Sequence, residues 1–445
     1  MDKNEFRLGR VRPAPENFLT DEDIQAVQAG RRDFLRKALL GASAAMLAPA
    51  AARAASDGDP AILNLPPWST SLGMPVASHP YGLPSKYERG LVRRESPGLT
   101  RVGGSSVAFT PLQGLFGIIT PSGLHFERHH QGWHDVDPSA HRLMINGLVK
   151  TNSVFTMDDI MRLPSVSRVH FIECGANTGM EWGNVAVPTV QYSHGMLSCS
   201  EFTGVPLKAI LDMCGADYRK GRFILAEGAD GSSMTRTIPM ELVESGEVLV
   251  AYGMNGEMLR PENGYPLRLV VPGVQGVSWV KWLRRIEVGD KPWATKDEAV
   301  HYMDLLPDGQ HRQYTSVQEC KSVITTPSGG QILLDKGFYN ISGMAWSGRG
   351  KVSRVDVSTD GGINWRPARL ETPVLSKAVT RFNIDWVWDG KPAILQSRAA
   401  DETGFVQPGY GQLRAARGTK SIYHNNAIQS WKVVESGEVS NVQVL

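Results

Sequence analysis

The chain has 445 residues, 41% of them hydrophobic and 21% charged, a globular composition with room for two or three domains. The formal net charge is only +2, so neither nucleic acid nor a membrane surface is favoured as the main partner. The four cysteines form no Cys-x-x-Cys pair, zinc-finger spacing or Cys-x-x-Cys-His haem motif. This pattern argues against a disulfide framework, a zinc finger and covalent haem, and leaves only a single incidental bridge open.

The N-terminal region, residues 1–54, contains a twin-arginine pattern. Arg31 and Arg32 precede a run of small apolar residues at 38–52, and Ala52-Arg53-Ala54 offers a cleavage site before Ala55. The run is too short and too weakly apolar to span a bilayer comfortably. These features predict export to the periplasm by the twin-arginine route. The alternative is a buried or amphipathic N-terminal helix.

Residues 55–125 are rich in Pro, Gly and Ser, which predicts an extended arm with few regular elements. Strand-like and helix-like runs alternate over residues 126–317, which predicts an α+β domain. The runs are His170–Ile172 (strand), Pro206–Cys214 (helix, ended by Gly215), Leu267–Val271 (strand, stopped by Pro272-Gly273) and Val280–Val288 (strand).

Residues 318–445 have a different pattern. Lys351–Ser358 alternates with period two and leads into Asp360-Gly361-Gly362, which is typical of a hairpin turn. Phe382–Trp388 and Trp431–Val434 repeat the strand pattern. Strands separated by turns at short intervals predict an all-β, immunoglobulin-like sandwich.

Cys174 follows the first of these strands, in a loop that also contains Gly175, Asn177 and Gly179. A thiolate on a glycine-rich loop can reach a metal or an electrophile, because small neighbours let a bulky cofactor approach. The alternative is a buried cysteine that packs as a small hydrophobic residue, which is the interpretation for Cys199, Cys214 and Cys320.

Two cationic segments are candidates for binding an anion. Asn263–Arg268 and Lys281 place two cations on strands that flank a Pro-Gly loop, where they can pair with a phosphate. Phe126–His130 is a second cationic cluster. His129 and His130 are adjacent and point apart on most backbones, so a cofactor or anion contact is favoured over a two-histidine metal site. A solvated surface is the alternative for both segments.

Three longer motifs resemble the conserved core of the sulfite oxidase family of molybdopterin oxidoreductases: Ala251–Glu257, Gly264–Val274 and Val280–Ile286. The similarity covers nearly the whole mature chain and is greatest to the sulfane dehydrogenases of thiosulfate oxidation. It implies that 126–317 is a molybdopterin-binding catalytic domain and that 318–445 is a dimerisation domain.

The resemblance also implies roles for single residues. Cys174 is the thiolate ligand of molybdenum in the molybdenum–molybdopterin cofactor, one per chain, and soft sulfur suits this metal. Arg128 and His130 match an Arg-x-His motif that contacts cofactor and substrate. The remaining matches are Asp230 and Asn263 with pterin contacts, Arg268 and Lys281 with residues that hold the pterin phosphate, and Tyr302 with the active-site tyrosine.

The sequence departs from the family in the cysteine loop. The family reads Cys-Ala-Gly-Asn-Arg-Arg, and the second arginine helps to bind sulfite, but residues 174–179 read Cys-Gly-Ala-Asn-Thr-Gly. A doubly charged oxyanion needs clustered guanidinium groups to offset its desolvation. The small residues Thr178 and Gly179 are therefore expected to open the pocket and to lower its positive charge, which disfavours free sulfite.

These observations predict a periplasmic enzyme that oxidises carrier-bound sulfane sulfur. The sequence contains no haem motif, so the electrons are expected to pass to a separate c-type cytochrome subunit. The expected assembly is a homodimer of this chain within a heterotetramer, with a sulfur-carrier protein as substrate and no membrane span. One alternative is a sulfite dehydrogenase on the same scaffold, and another is a non-catalytic β-sandwich binding protein in which Cys174 is structural.

Overall fold

The fold is that of a computed structural model, which describes residues 72, 81–96, 104–183, 187–296, 298, 302–313, 317–420 and 423–444. The predicted export signal and the first part of the predicted arm lie outside the described residues. Contacts group Lys86–Leu445 into one unit. The described helices include none with the length and apolar character needed to cross a membrane.

The strands of the first half are β1 Arg94–Ser96, β2 Ser106–Phe109, β3 Glu127–His129, β4 Leu143–Gly147, β5 Ser153–Phe155, β6 Val166–Glu173, β7 Leu197–Pro206, β8 Phe223–Gly228, β9 Thr235–Pro239, β10 Leu249–Met254, β11 Glu257–Met258, β12 Arg268–Val270, β13 Leu283–Gly289, β14 Met303–Leu305 and β15 His311–Gln313. The α-helices are α1 Met157–Met161, α2 Val190–His194, α3 Leu207–Cys214, α4 Met240–Glu244 and, in the second half, α5 Tyr410–Arg417. The short 3-10 helices are Lys86–Glu88, Leu112–Gly114, Ser122–Leu124, Gly179–Gly183, Pro261–Asn263 and Gly276–Ser278.

The strands of the second half are β16 Lys321–Thr326, β17 Gly337–Trp346, β18 Val352–Ser358, β19 Arg366–Pro367, β20 Arg369–Leu370, β21 Thr380–Trp388, β22 Ala393–Asp401, β23 Ser430–Val433 and β24 Val439–Val442. They form two antiparallel sheets, ordered β16-β17-β21-β20 and β19-β18-β22-β23-β24. This arrangement confirms the predicted all-β sandwich.

The first half mixes sheets and short helices, which confirms the α+β prediction. One sheet has the order β5-β4-β13-β8-β9 and includes a parallel pair, β4 with β13. A second has the order β11-β10-β7-β6, with β12 also paired to β10. The described part of the predicted arm contributes β1 and β2 to a small sheet with β3.

Several predicted elements agree with the structure at the level of single residues. Helix α3 buries Leu207, Ile210, Leu211 and Cys214 on one face, and it ends at Gly215, whose φ of 66° is left-handed.

The predicted strand Val280–Val288 begins three residues later than predicted, at Leu283. The reason is local, because Trp282 has a φ of 51°, which interrupts an extended run.

Strand β6 is packed from both sides, and this burial determines the position of Cys174. Ile172 belongs to the hydrophobic core of the first half, whereas Phe171 belongs to the core of the sandwich. Alternate residues of a strand point to opposite faces, so the end of β6 lies between the two cores. All four residues of this end, His170–Glu173, are buried. The loop that begins at Cys174 therefore starts from a strand that both halves of the molecule hold in place.

Candidate active site

A cavity of about 530 Å³ opens beside the end of β6. Every site residue predicted from the sequence lines it: Cys174, Arg128, His130, Asp230, Asn263, Arg268, Lys281 and Tyr302. These residues are spread over 175 positions of the chain (128 to 302). The fold brings them together, and their individual roles remain predictions.

Cys174 is held by backbone hydrogen bonds on both sides. Its amide donates to Met196 O at 3.0 Å, and its carbonyl accepts from the amide of Asn177 at 2.9 Å. Burial raises the pKa of the Cys174 thiol, and the nearby charge of Arg128 opposes that shift. A bound metal ion would favour the thiolate, because the local charge of a metal ion reverses the effect of burial.

The residue before Cys174 is Glu173, whose carboxylate is buried at the contact between the two halves. Lys321 Nζ lies 2.9 Å from Glu173 Oε1, and both side chains are 3% exposed. Trp346 Nε1 donates to Glu173 Oε2 at 2.8 Å, and Asn177 Nδ2 donates to Oε1 at 2.9 Å. Two of the three partners of the buried Glu173 carboxylate, Lys321 and Trp346, thus lie on β16 and β17 of the second half. The third partner, Asn177, belongs to the first half.

The cysteine loop is also anchored at its far end. Lys321 Nζ donates to Thr178 Oγ1 at 3.0 Å, and this hydroxyl donates to Asn425 O at 2.8 Å. Thr178 is 6% exposed and does not line the cavity, and of the residues 174–179 only Cys174 and Ala176 do. The expectation that Thr178 opens the pocket is wrong, because its side chain turns into the contact with the sandwich. The loop still supplies no cation.

A second part of the cavity wall fits an anionic, hydrogen-bonding group. Arg268 is 3% exposed, and within the described part of the chain it makes no ion pair. Among the described residues, its Nε has no hydrogen-bond partner, and neither do the buried Asn263 Oδ1 and His125 Nε2 beside it. Burial lowers the pKa of Arg268 to about 9. Unpaired buried polar atoms and a desolvated cation are what a phosphate of a bound cofactor would satisfy.

Lys281 has a different geometry from the one expected of a direct phosphate contact. Its ammonium donates to His129 Nδ1 at 2.8 Å, to Glu262 O at 3.1 Å and to Arg128 O at 3.2 Å. These bonds use all three hydrogens of the ammonium. In this arrangement Lys281 contributes charge to the cavity and ties β3 to the turn that carries Asn263. Burial lowers its pKa.

His129 was not singled out as a site residue, although it lies between two that were. Its Nε2 is 2.8 Å from Glu127 Oε2, and its Nδ1 faces Lys281. The ring must accept from the ammonium at Nδ1, so it is neutral and donates from Nε2. Burial, followed by the charges of Lys281 and Arg128, lowers the pKa of His129 to about 3. His130, the predicted contact, lines the same cavity.

Asp230 and Tyr302 complete the predicted set. Asp230 lies in the turn between β8 and β9, where the hydroxyl of Ser232 donates to its carboxylate. Tyr302 is 7% exposed, and the guanidinium carbon of Arg236 lies 4.8 Å from its ring centroid. Burial raises the pKa of Tyr302, so its phenol stays protonated at neutral pH.

The fold and this cavity define a class of protein: a molybdopterin-binding domain joined to a β-sandwich. Comparison with known families agrees with that class, because residues 130–296 match the oxidoreductase molybdopterin binding domain and residues 312–431 match the Mo-co oxidoreductase dimerisation domain. The chain belongs to the sulfite oxidase family of molybdopterin oxidoreductases. The chain is therefore a molybdenum sulfur oxidoreductase and not a non-catalytic binding protein.

Individual relatives give the same result. A crystal structure of the sulfane dehydrogenase SoxCD from Paracoccus pantotrophus is 48% identical with a TM-score of 0.85, and the match covers 88% of this chain and 100% of that one. Mitochondrial sulfite oxidase of Mus musculus is 33% identical over 281 residues, which are 57% of this chain and 50% of the relative. Nitrate reductase [NADH] of Solanum lycopersicum is 32% identical over 308 residues, 61% of this chain and 33% of the relative. The match thus spans half or less of the length of these two enzymes.

The buried ion pair gives a prediction about stability. Lys321→Met should lower the free energy of unfolding by roughly 3–5 kcal/mol, because it leaves the Glu173 carboxylate buried without its cation. Urea unfolding followed by tryptophan fluorescence measures this loss. Glu173→Gln combined with Lys321→Met should lose less, since no charge is then left unpaired. As a matched control, Lys208→Met breaks the exposed pair with Asp212 and should cost about 1 kcal/mol or less. Equal losses in the two lysine variants would contradict the importance of the pair.

Proposed function

We propose that this chain is the molybdenum subunit of a periplasmic enzyme that oxidises carrier-bound sulfane sulfur during thiosulfate oxidation. The observation that carries the proposal is the cavity itself, in which a thiolate candidate, Cys174, lies with Arg128 and Tyr302 but without a cation from the cysteine loop. The similarity to a sulfane dehydrogenase at 48% identity supports this substrate class. The competing function is oxidation of free sulfite to sulfate.

In the proposed reaction, each two-electron step adds one oxygen atom from water to the terminal sulfur and releases two protons and two electrons. When bound, the molybdenum cofactor supplies the two-electron redox and oxygen-transfer chemistry. Cys174 would hold the metal. Asn263, Arg268 and the charge of Lys281 would hold the pterin and its phosphate, and Asp230 and His130 would contact the pterin.

The residues of the chain that face the substrate bind and orient it. Arg128 is fixed by the hydrogen bonds that its Nη1 donates to His129 O and, at 3.4 Å, to Ser105 Oγ. Its other donors can bind the oxygen that the sulfur gains. The protonated phenol of Tyr302 can donate to the same oxygen, and the burial of Tyr302 strengthens that hydrogen bond.

The metal-ligand role gives the first prediction. Cys174→Ser should keep the fold but abolish turnover, because a hydroxyl is a harder and poorer ligand for this metal than a thiolate. Steady-state rate and thermal unfolding are measured together on purified protein. Cys214→Ser, which changes a buried cysteine outside the cavity, should retain turnover. Normal turnover in the Cys174 variant would eliminate the ligand assignment.

The substrate gives the second prediction. Purified, cofactor-loaded protein is assayed with its cytochrome partner, on free sulfite and on sulfane sulfur bound to a carrier protein. We expect weak activity on sulfite, because the loss of one charge-assisted hydrogen bond of about 1.5–3 kcal/mol corresponds to about a 10- to 100-fold effect. Efficient sulfite oxidation that needs no carrier would instead support the sulfite dehydrogenase. An absence of electron transfer to a c-type cytochrome would remove the proposed acceptor.

Export is the third prediction. Replacing Arg31 and Arg32 with Lys should leave cofactor-loaded protein in the cytoplasm, because the twin-arginine route reads this pair. Cell fractionation with an activity stain measures the distribution. Replacing Arg10 and Arg12 with Lys is the matched control and should leave export unchanged. Normal periplasmic activity after the first replacement would refute the export route.

The fourth prediction is a homodimer, within a heterotetramer that includes the cytochrome subunit. The match of residues 312–431 to a dimerisation domain supports it. So does an apolar pair on the sandwich, Phe338 and Val387, which lie opposite each other on β17 and β21 and are 65% and 70% exposed. Sedimentation velocity at micromolar concentration should give a dimer. A fully active monomer would contradict the proposal.

A further inference from the structure

One residue of the cavity wall comes from the second half of the chain. Tyr423 lines the cavity together with Cys174 and Tyr302. Its ring centroid lies 4.7 Å from that of Tyr302, and the two rings are tilted by 32°. Two tyrosine rings therefore form a continuous aromatic surface, to which the molybdopterin-binding domain and the sandwich contribute one ring each.

The position of Tyr423 is fixed relative to the metal-ligand loop. The amide of the next residue, His424, donates to Gly175 O at 2.8 Å, and the imidazole Nδ1 of His424 lies 3.0 Å from Gln318 Oε1. Trp182 Nε1 donates to the carbonyl of Tyr423 at 3.3 Å. His424 is 3% exposed. Tyr423 is thus attached to the backbone that directly follows Cys174, and its ring is held at a set place in the cavity.

The charges around this aromatic surface are few. The cysteine loop contributes none, because residues 175–179 read Gly-Ala-Asn-Thr-Gly. Arg236 stacks on the Tyr302 ring, and its Nε lies 3.7 Å from Glu298 Oε1, whose charge offsets that of the guanidinium. Of the residues that line the cavity, Arg128 and the exposed Lys296 remain as cations on the substrate side.

The chemistry of the aromatic surface favours sulfur over oxyanions. The face of an aromatic ring carries partial negative charge, so it opposes a doubly charged anion. A polarisable divalent sulfur makes favourable contacts with the same ring. We propose that Tyr423 is a specificity-determining residue, whose ring contacts the divalent sulfur of a sulfane chain and disfavours a free sulfur oxyanion. This inference rests on the proposed function and adds a residue that recognises its substrate.

The test uses cofactor-loaded protein and two probes, glutathione persulfide and inorganic sulfite. Tyr423→Leu should raise KM for the persulfide roughly 2- to 10-fold, because the sulfur–aromatic contact is lost. Tyr423→Phe keeps the ring and should raise KM less than Tyr423→Leu does. Tyr423→Arg should lower KM for sulfite about tenfold or more, since a guanidinium replaces the aromatic face. Tyr252→Leu removes a partly buried tyrosine outside the cavity and is the matched control.

A binding measurement separates specificity from turnover. Calorimetric titration of the oxidised, loaded protein with sulfate should show tighter binding in Tyr423→Arg than in the wild type. Thermal unfolding and molybdenum content identify any Tyr423 variant that fails to fold or to load the cofactor. If Tyr423→Arg fails, the sulfate titrations of Tyr423→Leu and Tyr423→Phe test whether the ring disfavours the oxyanion.

Two kinds of failure are distinguishable. Wild-type protein that contains molybdenum but oxidises sulfane sulfur neither on glutathione nor on a carrier protein would overturn the proposed function. Wild-type protein that oxidises the persulfide, with KM unchanged in Tyr423→Leu or raised equally in Tyr423→Phe and Tyr423→Leu, would overturn the role of the Tyr423 ring alone.

Discussion

The buried ion pair between Glu173 and Lys321 is the constraint on which the rest of the site depends. A carboxylate that is 3% exposed is tolerated only when its charge is paired and its oxygens are hydrogen-bonded. Lys321 and Trp346 satisfy these needs from the sandwich, and Asn177 satisfies them from the cysteine loop. The position of Cys174 is therefore set by contacts that neither half of the chain could make alone.

The sequence was sufficient for the features that depend on local patterns. A helix-like run ended by Gly215 predicted helix α3, and period-two alternation predicted β18 and its turn. The eight proposed site residues could be chosen because three motifs resemble a known family, and the fold brings all of them to one cavity. By contrast, Lys321 and Tyr423 gave no local signal, and the cationic cluster that contains His129 did not indicate its bond to Lys281. Each acts through a partner more than 100 residues away, and such long-range pairs follow from tertiary packing alone. Thr178 was misjudged for the same reason, because its hydroxyl binds Asn425 in the sandwich.

The cavity wall divides into two regions of opposite character. One region contains Arg268 and Lys281, two buried cations whose pKa is lowered by burial. The other region contains Tyr302 and Tyr423, two large and weakly polar rings that contact each other. A cofactor with a phosphate tail and a reactive end suits such a division, since the cations can neutralise the tail.

The buried cations also affect the stability of the folded chain before it binds a cofactor. Arg268 holds a charge that burial opposes, and its Nε has no hydrogen-bond partner among the described residues. Any ligand that binds only the folded state stabilises it by mass action, and an anion at this wall would remove an electrostatic penalty as well. We therefore expect a chain without a ligand at this wall to be less stable and to open more often than one that has bound an anion there. Proteases and chaperones act on opened states, so such a difference would expose the unliganded chain to them more often.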